Sequence, residues 1–230
     1  MIADHDLSRF IRENTVSITP TLVPEIQLHL ASEVTSLWHA TEASLAQSQL
    51  PPPYWAFAWP GGQALARYVL DHRTVVVGKR VVDVGAGSGL AAIAAAMAGA
   101  RQVTAVEIDP FAVVAISMNA ALNGVAVAVD GHDLLLPSPP SSRPLAPFGA
   151  VDGMLTILIG DMCYERELAH RLVTWLRGAA ARGAAILVGD PGRAYLPEGG
   201  LDLVARYNVP TSRDLEDRDH RDTAVYRLRN

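Results

Sequence analysis

The stretch Arg80–Gly89, RVVDVGAGSG, constrains the fold of this chain more than any other. An apolar run with Val81, Val82 and Val84 enters a loop with glycines at 85, 87 and 89, and the alanine-rich segment LAAIAAAMAGA follows at once. That order reads as strand, tight turn and helix. Glycine lets such a turn tighten and lets the backbone approach a ligand, while the helix N-terminus presents unpaired N–H groups. The next apolar run, QVTAVE, closes on Glu107, where a second parallel strand would end. A carboxylate there can accept both hydroxyls of a ribose.

Two nucleotide-type ligands use this geometry. The dinucleotide fingerprint GxGxxG would place its third glycine at position 90, which is Leu90. The spacing here is GxGxG, with Asp83 two residues before the first glycine. It resembles motif I of the S-adenosylmethionine (SAM) methyltransferases. That resemblance implies Asp83 near the methionine end of the cofactor, the backbone of Gly85, Gly87 and Gly89 around it, and Glu107 on its ribose. It favours SAM over a nicotinamide dinucleotide. The plainer alternative is a tight turn with no ligand, and the two acids weigh against it.

A chain of 230 residues with 50% apolar content suits one α/β domain with some elaboration. A net charge of −5 argues against a general nucleic-acid binder. No apolar run is long enough to cross a membrane. Asp4, Asp6 and Glu13 among the first residues do not fit a signal or transit peptide. A single cysteine, Cys163, leaves no internal disulfide and no cysteine-based zinc cluster, and no metal site is expected. The composition reads as that of a soluble cytoplasmic protein. One lysine, Lys79, stands against eighteen arginines, a bias that fits a GC-rich bacterial genome.

In chain order, residues 1–50 read as an N-terminal elaboration and 51–230 as the main domain. FIRENT suggests a short helix. Ile26, Leu28 and Leu30 alternate as on one face of a short strand, and Val34, Leu37, Trp38 and Leu45 fit a helix. PPPYWAFAWPGG (51–62) gathers Trp55, Phe57 and Trp59 before the helical pattern QALARYVLD. Such a cluster is either core packing or, with Trp59, a cover for the ligand pocket. Asp109-Pro110 predicts a capped helix start, so Asp109 has a structural role and Glu107 remains the ligand acid. VAVAV (125–129) predicts a third strand, and Asp133 beyond it could meet an adenine amino group or simply close a surface turn. Residues 137–147, with five prolines, read as a loop. MLTILIG and AAILVGD predict buried strands, ERELAHRLVTWLRG an amphipathic helix, LDLVARY a short helix, SRDLEDRDHRD a charged connection and TAVYRLR a last strand. The fold class expected is α/β: a doubly wound, mostly parallel seven-stranded sheet with an antiparallel pair at its end. Ligands then lie at the carboxyl ends of the strands, where Asp83, Glu107, Asp161 and Asp190 fall.

GDMCYE (160–165) would lie beside a cofactor held over the first two strands. Asp161 and Tyr164, three apart, share one side if a helix has begun there. No proline follows Asp161, unlike the Asn/Asp-Pro-Pro-aromatic loop of N6-adenine methyltransferases. An Asp-x-x-Tyr pair instead suits an alkyl amine, whose nitrogen the carboxylate orients while the ring walls its aliphatic stem. The plainer alternative is Asp161 as a helix cap with Tyr164 packed below it.

FIRENT, PEIQLHL, YWAFAWPGGQALARY, the motif I loop, EIDPFA, GDMCYE and LVGDPGR together resemble the electron-transfer-flavoprotein β-subunit lysine methyltransferases, within the family 16 methyltransferases. The resemblance runs from about residue 10 to residue 195 and is weak beyond it. It implies SAM-dependent methylation of a protein lysine, with Asp161 and Tyr164 as the family's Asp-x-x-Tyr motif and the flavoprotein subunit as substrate. It also suggests a bacterial relative of the mitochondrial animal enzymes. Methylation of another protein or a small molecule is the alternative, ahead of a nucleotide-binding oxidoreductase or a non-catalytic SAM-fold protein.

Overall fold

The computed structural model describes residues 4–33, 35–39, 52–136 and 154–229. The elements in order are α1 (Asp4–Asn14), β1 (Val16–Ile18), β2 (Leu28–Leu30), α2 (Ser36–His39) and a 3-10 turn at Tyr54–Ala56. Then come α3 (Pro60–Asp71), β3 (Arg80–Val84), α4 (Leu90–Met97), β4 (Gln102–Val106), α5 (Pro110–Leu122) and β5 (Ala128–Asp130). The remainder is β6 (Leu155–Gly160), α6 (Arg166–Ala180), β7 (Ala185–Asp190), β8 (Leu201–Pro210), α7 (Arg213–Glu216) and β9 (His220–Leu228).

The main sheet has seven strands in the order β5-β4-β3-β6-β7-β9-β8. The first five are parallel, and β9 pairs antiparallel with both β7 and β8. The doubly wound sheet and its antiparallel end pair therefore stand as the sequence suggested. Strand order reverses between β3 and β6, and that reversal opens a crevice at the carboxyl ends of the strands. Alternation along each strand divides the core. Val81, Val103, Leu158 and Leu187 pack under α3, α4 and α5, whereas Val82, Val84, Ile157 and Val188 pack under α6.

A third cluster joins Leu7, Ile11, Leu37 and Trp55 to Phe111, Ala112 and Ala115 of α5. Helix α5 is thus covered on two sides, which explains its almost continuous apolar sequence. Its Asn119, fully buried, accepts the His29 amide at 2.7 Å and donates to the Ser88 carbonyl at 2.8 Å. One side chain so ties the β1–β2 ribbon to the Gly-rich turn.

Several local expectations need correction. LDLVARY is not a helix but part of β8, a ten-residue strand. A bulge between Leu203 and Ala205 breaks its alternation, so the apolar positions mimic helical spacing. The third strand is Ala128–Asp130 rather than 125–129, because only those residues reach β4. The charged connection carries the single turn α7 and the start of β9. Of the helix expected near Val34–Leu45, Ser36–His39 is seen, and Val34 and Leu45 lie outside the described residues, as does the 137–147 loop. Asp109 caps α5 as expected, accepting the Phe111 amide at 2.9 Å.

Helix α3 enters the sheet against the ends of β6 and β7, and the fit requires glycine. A Cβ on Gly61 would strike the Gly189 carbonyl and come within 2.6 Å of Asp161 Oδ2. Gly61→Ala should therefore lower stability by ~1–3 kcal/mol through overpacking. Urea unfolding with an unchanged midpoint would show that the helix start yields freely.

Candidate active site

A cavity of about 530 Å³ opens at the carboxyl ends of β3, β4 and β6. It brings together seven of the nine residues singled out in the sequence: Trp59, Gly85, Gly87, Glu107, Asp133, Asp161 and Tyr164. Asp83 and Gly89 are not among its lining. Asp83, 2% exposed, accepts the Ala92 amide at 2.9 Å and so pins the first turn of α4 to β3. Burial pushes its carboxyl up to about 7, offset in part by that N–H and reinforced by Glu107. Gly89 is the N-cap of α4 with φ 82°, and a side chain there would press on Ile116 at 3.1 Å.

One end of the cavity is built by Glu107. Its Oε2 accepts the Gly87 amide at 3.0 Å, and its Oε1 accepts the Ile108 and Asp109 amides at 2.7 and 3.2 Å. The carboxylate is held rigidly at the strand end, with acceptor capacity left on Oε2. Gly87 has φ 52°, and a Cβ there would find nothing nearer than Trp55 Cα at 4.0 Å, so its backbone faces open space. Gly85 is glycine for another reason: φ is 66°, and a side chain would collide with Met162 Sδ. Ile108, 64% exposed, joins Val106, Ala112, Leu134 and Leu135 in an apolar lining beside the acid. Asp133 accepts the Leu135 amide at 2.8 Å through Oδ1. A polyhydroxylated sugar on Glu107 with a planar base against Ile108 matches this donor set, so the residues present fit SAM. Ile108 escaped the sequence reading, although an apolar residue directly after a strand-end acid was its visible signal.

The other end is built by Asp161. It lies one residue past β6 with φ 57°, a left-handed conformation that few non-glycine residues adopt. The helix after it starts only at Arg166, with Glu165 as N-cap, so Asp161 and Tyr164 are not on one helix and Asp161 does not cap its own. Its Oδ2 instead accepts the Gly62 amide of α3 at 2.9 Å, and its Oδ1 accepts Arg193 Nη2 at 2.8 Å. Burial pushes the carboxyl up to about 6, against the pull of Arg193 and Gly62 and with a push from Asp190. Arg193 also sits 5.6 Å from the Trp59 ring centroid and lines the cavity. Tyr54 stands 5.9 Å from Trp59 and 6.0 Å from Tyr164, completing an aromatic rim. Cys163 is no nucleophile: burial first, then Asp190 and Asp161, push its thiol up to about 12. Among the described residues no His/Cys/Asp/Glu group could hold a metal, and no helix is long and apolar enough to cross a membrane.

The doubly wound sheet, the ribose-type acid and the open Gly-rich turn define a class I SAM-dependent methyltransferase. Residues 63–136 match the family model of ribosomal protein L11 methyltransferase (PrmA). The fold is shared with a structure from Pyrococcus horikoshii solved as a candidate RNA methyltransferase, with TM-score 0.51 and 15% identity over 83% of this chain and 99% of that one. It is shared too with a candidate methyltransferase in complex with S-adenosylhomocysteine, at TM-score 0.53 and 10% identity over 88% of this chain and 53% of the other. Sequence relatives are nearer. The chain is 36% identical over 231 residues to the electron transfer flavoprotein beta subunit lysine methyltransferase of Danio rerio, covering 98% of this chain and 84% of that protein. It is 39% identical over 192 residues to that of Homo sapiens, covering 83% and 68%. The chain belongs to the electron transfer flavoprotein beta subunit lysine methyltransferase family, and it is a SAM-dependent protein-lysine methyltransferase.

Glu107→Ala removes a charged acceptor and frees one amide of the turn and two of the loop after β4, so SAM affinity should fall by ~1.5–3 kcal/mol. Calorimetry giving the parent affinity for that variant removes Glu107 from the site.

Proposed function

We propose that this enzyme methylates a lysine of the β subunit of electron-transfer flavoprotein, holding the acceptor side chain between Asp161 and the rim of Tyr54, Trp59 and Tyr164. The observation that carries this reading is the Asp161 carboxylate, fixed from two sides on the cavity wall and flanked by those rings. The flavoprotein subunit comes from the names of the relatives. In the same reading Glu107 accepts the ribose hydroxyls, Asp133 meets the adenine amino group, and Gly85 and Gly87 bring backbone to the cofactor. Trp59 closes the pocket, and Asp83 and Gly89 act from behind by setting the turn.

When bound, SAM supplies a methyl group on a sulfonium, to be displaced in line by a neutral amine. A free lysine with a pKa near 10.4 costs about 4.6 kcal/mol to deprotonate at pH 7. Desolvation at the aromatic rim lowers that cost. An unpaired carboxylate would raise it, so Asp161 is not assigned as a general base. Its role is to orient the nitrogen and to stabilise the positive charge that arrives there as the new bond forms. The amine's proton leaves to solvent before transfer. Arg193 partly neutralises Asp161 and so limits how firmly the protonated lysine is held.

Mixing the enzyme, SAM and the flavoprotein from the same source should add methyl-sized mass steps to its β subunit, mapped to a lysine peptide. Labelling of ribosomal protein L11 with none on the flavoprotein would leave the chemistry and reject the substrate.

Asp161→Asn should leave SAM affinity nearly intact and cut turnover about a hundredfold. Ionised Asp161 is lost as pH falls through about 6. The parent's log kcat/KM should therefore climb with slope about one above that pH, from lysine deprotonation, and about two below it. In Asp161→Asn the lower segment should keep slope one. A parent profile with no break would detach Asp161 from the chemistry.

A further inference from the structure

Behind Asp161 lies a chain of charges that the reaction as described does not require. Glu216, in the one-turn helix α7 between β8 and β9, is 4% exposed and does not line the cavity. Its carboxylate accepts Arg193 Nη2 at 2.5 Å and Nη1 at 3.3 Å, and Arg221 Nε at 2.8 Å. Arg193 in turn spans Glu216, Asp161 and the Trp59 face, and its backbone amide is fixed at 2.7 Å by Asp190 Oδ1. A segment that reads in the sequence as a charged connection thus sends one carboxylate inward to the wall of the site.

We propose that Arg193, clamped by Glu216 of the C-terminal hairpin, is the positioning residue of the transfer site: it fixes the Asp161 carboxylate and the Trp59 ring in the arrangement that receives the acceptor amine. The proposal rests on the lysine-transfer reading above. The geometry supports it because one guanidinium reaches both groups. Glu216 grips two nitrogens of its fork, and planar bidentate pairing of this kind sets orientation as well as charge. Lysine in its place would carry the charge without the fork.

Charge matching points the same way. Asp161, Asp190 and Glu216 face Arg193 and Arg221, leaving one formal negative charge in the cluster. The methylated lysine product brings one positive charge. Every group facing Asp161 enters this balance. Gly62 of α3 donates an amide, Arg193 pairs from the turn after β7, and Asp190 repels from the end of β7. Cys163 and Tyr164 stand on its own loop, both with raised pKa values, and Trp59 and Tyr54 stand in front. Removing Arg193 takes away the main attraction that opposes burial, so the Asp161 carboxyl then titrates at higher pH.

Single removal of either buried partner would strand the other, and misfolding would obscure the result. The test therefore uses the charge-balanced double variant Arg193→Gln/Glu216→Gln, with Arg193→Lys beside it. The first readout needs no acceptor: the Asp161 side-chain carbon resonance in protein carrying 13C-labelled aspartate, followed against pH. It should titrate near 6 in the parent and clearly higher in the double variant. The second is kinetic, on whichever protein the parent labels. In the double variant SAM affinity should stay within about twofold, kcat should fall about tenfold or more, and the break in its pH profile should follow the resonance upward. Arg193→Lys should regain the lower titration midpoint without regaining full kcat. An Asp161 midpoint and a kcat both within about twofold of the parent in a folded double variant overturn the proposal, and the cluster then only fastens the hairpin to the sheet. A shifted resonance in a protein that labels no lysine rejects the transfer reading and leaves the Arg193–Asp161 coupling in place.

Discussion

The site depends on one buried carboxylate held from two sides. Asp161 joins the end of β6 to the start of α3 through the Gly62 amide and to the turn after β7 through Arg193. The Gly62 contact needs α3 close to the strand ends, and the facing glycines 61 and 189 allow that approach. The carboxylate also forces its own backbone into a left-handed turn at φ 57°. Strain of that kind persists only where the surroundings over-determine it. Here a helix N-terminus and a guanidinium do so, and the partial charge of the helix start favours the same anion.

Glu107 plays the matching part across the cavity. Three amides converge on it, so the Gly-rich turn after β3 and the loop after β4 move as one unit. Asn119 extends that unit to the N-terminal ribbon by joining His29 to Ser88. The ribbon therefore bears on the Glu107 end of the crevice, although among the described residues it supplies no side chain to the Glu107 cluster.

What could be read from the sequence was local. The β3 run, its glycines and the strand-end acid lie within thirty residues, and each follows from backbone geometry alone. The capped start of α5 at Asp109-Pro110 was legible for the same reason. Strand β8 was not, because its bulge mixes the two periodicities and its strand character comes from pairing with β9. Asp83 shows a different limit: its position in the motif is plain, but that its carboxylate turns to Ala92 is a tertiary fact. Arg193 was visible only as the last residue of the LVGDPGR segment. Glu216 carried no signal at all, since one acid among many in a charged stretch looks like surface until a buried arginine selects it.

The two ends of the cavity differ in their relation to the PrmA family model. The L11 methyltransferase model matches residues 63–136, which contain Gly85, Gly87, Glu107 and Asp133. Trp59, Asp161, Tyr164, Arg193 and Glu216 all lie outside that span. On the proposed transfer reading, the Asp161 end faces an electrostatic compromise. A lone buried carboxylate would bind lysine well and keep it protonated, which stops the chemistry. A carboxylate fully neutralised by arginine would let the amine lose its proton but would give the cationic product no stabilisation. Arg193 divided between Asp161 and Glu216 lies between these limits, because Asp161 receives only part of one positive charge. On the proposed reading the hairpin that supplies Glu216 is consequently part of the acceptor end, even though it touches no part of the cavity.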